Sequence, residues 1–96
     1  MEKKTETAAR VIVHGKVQQV GYRMWTVAKA RDLGLRGWVR NRADGTVEAL
    51  LIGDADAVDD MAEKCTRGPR LAEVAMVERE LARDDGAQGF EQVATA

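Results

Sequence analysis

The sequence predicts an α+β fold of the ferredoxin-like kind: a βαββαβ sandwich in which an antiparallel sheet carries two helices on one face, with an extra C-terminal edge strand. Three observations predict it. Apolar runs of strand character cover residues 8–14, 35–42, 46–52 and 71–81. Helical spacing of apolar residues appears in two intervening stretches, 22–33 and from about 57 to 66. Between the second and third strands, Asp44-Gly45 supplies the positive φ angles of a tight hairpin turn.

Each element has its own signal. Residues 1–7 (MEKKTET) lack apolar periodicity and are expected to form a mobile tail before one domain spanning 8–96. In the first strand, Val11 and Val13 share one face and Ile12 takes the other. The first helix sets Met24, Val27, Ala28 and Arg31 at helical spacing, flanked by Tyr22, Trp25, Lys29 and Leu33, and Gly34 ends it. Leu50-Leu51-Ile52 does not alternate, which marks a central strand buried on both faces. Gly53-Asp54-Ala55-Asp56 suits a helix N-terminus, and Val58, Met61, Ala62 and Cys65 form the apolar face of the helix that follows. Arg67-Gly68-Pro69 ends that helix. Arg83-Asp84-Asp85-Gly86 is a turn, and residues 88–94 form a short fifth strand.

Composition narrows the function. A chain of 96 residues with 45% apolar and 32% charged residues and a net charge of −1 fits one soluble domain and lacks the basic excess of a nucleic-acid binder. No apolar run approaches the roughly 20 residues of a membrane span, the N-terminus has no secretory character, and a single cysteine forms no intramolecular disulfide. A cytoplasmic monomer without metal or cofactor is expected.

The chemistry concentrates in Gly15-Lys16-Val17-Gln18-Gln19-Val20-Gly21-Tyr22-Arg23. An apolar strand breaks at a glycine, a loop follows, and a second glycine precedes a helix. Backbone N–H groups at a helix start lack intrahelical acceptors, and the helix dipole adds positive character there, so this order builds an anion site suited to a phosphoryl group. Arg23 adds a planar fork of donors in the first turn. In a βαβ unit both strands run the same way, so the second strand's end, Val39-Arg40-Asn41-Arg42, arrives at the same sheet edge as the loop. Asn41 shares the parity of Val39, which directs it towards the helix start.

At these residues the chain resembles the acylphosphatase family. The loop is similar to the family's G-x-V-Q-G-V-x-[FY]-R signature. Gly37-Trp38-Val39-Arg40-Asn41 and Asp44-Gly45-Thr46-Val47-Glu48 are similar to its G-W-V-x-N and D-G-T-V-E segments, and the likeness extends over roughly residues 8–94. The resemblance implies metal-independent hydrolysis of the carboxyl–phosphate bond of acyl phosphates to a carboxylate and inorganic phosphate. Arg23 and the backbone N–H groups of Gly15, Lys16, Val17, Gln18, Gln19, Val20, Gly21 and Tyr22 would hold the phosphoryl group, and the Asn41 amide the attacking water. One position departs: Gln19 stands where the family has glycine. If that position needs positive φ, glutamine adds strain of about 1–2 kcal/mol.

Three other functions fit parts of the pattern. A non-catalytic anion-binding or regulatory module on the same fold is the main alternative, with Gln19 as its cause. An RNA-recognition module shares the element order, but the first and third strands carry no stacking aromatics. A ferredoxin-like metal carrier would need two cysteines near the first loop. His14 at a strand end is read as structural, Cys65 as a core residue, and Trp25 and Trp38 as packing residues. Asp54, Asp56, Asp59 and Asp60 read as helix-capping and solvated charges rather than a calcium loop. Arg40 and Arg42 are read as anion-steering or exposed hairpin charges.

Overall fold

The computed structural model describes residues 5–96. The elements are β1 (Glu6–Lys16), α1 (Tyr22–Asp32), β2 (Arg36–Asn41), β3 (Val47–Asp54), α2 (Ala55–Cys65), β4 (Glu73–Leu81) and β5 (Phe90–Gln92). They form a five-stranded sheet of order β4-β1-β3-β2-β5. The first strand starts earlier than its apolar run: Glu6 pairs with Asp54 and Thr7 with Gly53. These two residues therefore leave the expected tail, whose residues 1–4 lie outside the described residues.

Strand β3 takes the centre because it has apolar residues on both faces, and Val47 to Gly53 are all buried. It pairs antiparallel with β1 on one side and β2 on the other. One face of the sheet packs Val11, Val13, Val39, Ala49 and Leu51 against α2 residues Val58, Met61, Ala62 and Cys65, with Ala30 of α1. Burial pushes the Cys65 thiol up to about 11. The opposite face is largely polar. There Glu48, with only 3% of its side chain exposed, accepts from Arg10 at 2.9 Å and from Arg40 at 2.7 Å. The Arg40 guanidinium also lies over the Trp38 ring, 4.7 Å from its centroid.

Three features depart from the sequence reading. The sheet is mixed, because β5 runs parallel to β2. Residues 82–89 carry the chain from one sheet edge to the other, packing Ala82 and Ala87 in a small apolar cluster with Ala8, Leu50, Ile52 and Trp38. Gly37 N–H donates to the Gly89 carbonyl (2.8 Å), which seats β5 beside β2. Second, α1 buries Tyr22, Thr26 and Ala30, whereas Met24 is 70% exposed. The Tyr22 hydroxyl donates to the Cys65 carbonyl at 2.7 Å and fixes this rotation, while the Thr26 hydroxyl is satisfied by the Tyr22 carbonyl at 2.8 Å. Third, Asp54 makes no side-chain capping bond; the Ala55 N–H donates instead to the Thr5 carbonyl at 3.0 Å.

Phe90, 1% exposed, anchors the short β5 strand in the core. Phe90→Ala is expected to cost about 3–5 kcal/mol of stability, read as a lower urea midpoint.

Candidate active site

Strands β1 and β2 are parallel across β3, so their C-terminal ends meet at one edge of the sheet, where α1 begins. A cavity of about 130 Å³ lies there, lined by Val17, Gln19, Gly21, Tyr22, Arg23, Met24, Asn41 and Gln92. Of the residues expected from the sequence, Arg23 and Asn41 thus share one cavity with Val17, Gln19, Gly21 and Tyr22. The others do not line it. Gly15 and Lys16 belong to β1 and pair with Val74 and Glu73 of β4. Val20 faces a neighbouring groove. Gln18 turns towards the β2–β3 hairpin and donates to the carbonyls of Arg42 (2.9 Å) and Thr46 (3.0 Å).

The backbone of the loop is shaped by two left-handed residues. Gln19 has φ 64° and is the sole non-glycine at positive φ among the described residues. Gly21 follows at φ 79° and caps α1 without a side chain. Left-handed turns of this kind bring successive N–H groups to one concave side. The first helical bond is Trp25 N–H to the Gly21 carbonyl at 3.0 Å. The N–H groups of Tyr22, Arg23 and Met24 therefore have no acceptor within the helix. A serine or aspartate cap would occupy such donors, and an acidic first turn would oppose an anion; α1 has neither.

Two side chains complete the cavity. Arg23 is half-buried, and none of the ion pairs among the described residues includes it. Its guanidinium donors are thus uncommitted. Asn41 Oδ1 is buried and has no hydrogen-bond partner among the described residues. A buried polar atom without a partner costs about 1–3 kcal/mol, so its retention in a cavity of donors points to work on a ligand or water.

Gln92 was missed by sequence reasoning. It reaches the cavity only because β5 pairs in register with β2, Gln92 opposite Val39; no local pattern announces it. His14 points the other way, with its ring against Glu78 on the polar sheet face. Arg40 is committed to Glu48 and Arg42 lies near Asp44 at 3.7 Å. Among the described residues, no group of three or more His, Cys, Asp or Glu side chains gathers as a metal site would need.

The fold and cavity have the form of a small ferredoxin-like protein with a donor-lined cup at one end of its sheet. The family model for acylphosphatases matches residues 9–92. An acylphosphatase from Acidiphilium cryptum is 50% identical over 88 residues, which is 92% of this chain and 97% of that protein. The structure of an acylphosphatase from Coxiella burnetii superposes with a TM-score of 0.90 at 35% identity, covering 97% of this chain and all of that one (100%). That of the Bacillus subtilis acylphosphatase gives 0.86 at 33% identity, covering 93% and 99% respectively. The chain belongs to the acylphosphatase family, enzymes that hydrolyse acyl phosphates.

The φ of Gln19 makes its strain testable. Gln19→Gly removes a left-handed penalty of about 1–2 kcal/mol and adds unfolded-state freedom of roughly 0.5–1 kcal/mol. A net gain of about 0.5–1 kcal/mol is expected by urea denaturation.

Proposed function

We propose that this acylphosphatase binds the phosphoryl group of its substrate in the cup between the 17–21 loop and the start of α1, with Arg23 as the charged ligand and Asn41 orienting the attacking water. The observation that carries the reading is the meeting of an uncommitted arginine, free helix N–H groups and an unpartnered buried amide oxygen in one cavity.

The chemistry asks for little more. A carboxylate leaves, and since its conjugate acid has a pKa of about 4 to 5, it needs no proton at neutral pH. No general acid is required. Phosphoryl transfer passes through a loose transition state with charge on the equatorial oxygens, and the protein's part is positioning and charge stabilisation. The N–H groups at the α1 start and the Arg23 fork face those oxygens. Asn41 Oδ1 accepts a hydrogen bond from water, which turns a water lone pair towards phosphorus. Bond formation from water oxygen to phosphorus, cleavage of the bond from phosphorus to the carboxyl oxygen and passage of a water proton to a phosphoryl oxygen then complete the hydrolysis. The reading extends to a monomer, supported by the charged exposed positions of edge strand β4, Glu78, Arg79 and Glu80, which oppose edge-to-edge pairing.

Arg23→Ala and Asn41→Ala are each expected to lower kcat at least 10²–10³-fold, about 3–4 kcal/mol of barrier. Urea midpoints should stay near the native value, since neither side chain has a hydrogen-bonded partner to lose among the described residues. Loss of benzoyl phosphate absorbance in the presence of chelator measures the rate. Near-native turnover in either variant would remove that residue from the mechanism.

A further inference from the structure

Beside the cup runs a second, larger hollow of about 660 Å³, lined mainly by Val20, Met24, Trp25, Ala28, Pro69 and Leu71, together with Gly21 and Arg70. Its walls are predominantly apolar. Its size is that of a small-molecule site, typically about 300–1,000 Å³. It is continuous with the cup, because Gly21 and Met24 line both.

The groove is formed in part by side chains that the core does not use, beside Val20 and Trp25, which also pack against the core. Met24 and Leu71 are 70% and 66% exposed. On α1 the buried stripe is Tyr22, Thr26 and Ala30, so the helix spends a threonine on the core and turns Met24 and Ala28 outward. Trp25 is half-buried, its ring 5.3 Å from that of Tyr22. Apolar side chains concentrated on an exposed face mark a place where apolar matter binds.

Topology says which part of the substrate meets this face. Asn41 and Gln92 come from β2 and β5 at one side of the sheet, whereas Pro69 and Leu71 lie on the connection into β4, the opposite edge strand. Attacking and leaving oxygens stand roughly in line across phosphorus. With water held at Asn41, the carboxyl oxygen leaves towards the β4 side and the groove.

We infer that this groove is the acyl subsite, and that it selects acyl phosphates with apolar acyl chains over small ones. The inference rests on the proposed cup and adds the substrate's other half. Met24, Trp25 and Leu71 touch the acyl chain; they are specificity residues with no part in bond cleavage.

Acetyl and hexanoyl phosphate separate binding from reactivity, because both release unbranched aliphatic carboxylates of nearly equal acidity. The native enzyme should show kcat/KM at least about tenfold higher for hexanoyl phosphate. Leu71→Ser should lower that ratio about five- to tenfold, while Leu71→Met should hold it near the native value. Circular dichroism checks that the variants fold, and Leu71 is exposed enough for folding to tolerate both. A native ratio near one, or an equal fall for both substrates in Leu71→Ser, would overturn the acyl subsite alone. Undiminished turnover of acetyl phosphate by Arg23→Ala would overturn the cup and the groove together.

Discussion

Everything at the cup end of the sheet depends on β3 pairing with β1 on one side and β2 on the other. The two flanking strands are forced parallel by their shared antiparallel partner, so their C-terminal ends emerge at one edge. The 17–21 loop leaves from β1 and Asn41 stands at the end of β2. No direct contact between them is needed to bring them together; the ladder does it. Complete burial of Val47 to Gly53 is what holds β3 in that place.

The loop set on this frame keeps its polar groups available at a cost in stability. Gln19 sits in a left-handed conformation that favours glycine, and Gly21 opens α1 without a side-chain capping bond. Gln18 works against that looseness by bonding two carbonyls of the β2–β3 hairpin, Arg42 and Thr46, so the loop is tied to the strand end that carries Asn41. A rigid scaffold around donors with no partners of their own is the arrangement that electrostatic stabilisation of a transition state requires.

The two faces of α1 divide the labour of the helix. Tyr22 fastens it to α2 through the Cys65 carbonyl, and this one buried hydrogen bond sets which side chains point out. Met24 then lies at the junction of cup and groove and lines both. On the far side of the sheet, Arg10, Glu48 and Arg40 form a polar network remote from this chemistry, and the buried carboxylate is paired on both sides.

Local pattern was enough for much of this protein. Period-2 and period-3.6 spacing located the strands and helices, and the triple Leu50-Leu51-Ile52 identified the central strand, because periodicity follows from backbone geometry within a few residues. The loop between Gly15 and Gly21, with Arg23 beyond it, was legible for the same reason, and strand parity carried Asn41 to the same cavity. What the sequence left undecided depends on contacts between residues far apart. The rotation of α1 follows from Tyr22 meeting Cys65, the parallel direction of β5 from the crossing of residues 82–89 over the sheet, and the arrival of Gln92 from the register with Val39. The left-handed φ of Gln19 is likewise imposed by a loop whose two ends the sheet and helix have already fixed, against the residue's own preference. Such choices are settled only when the tertiary contacts form, since no short stretch of chain contains both partners.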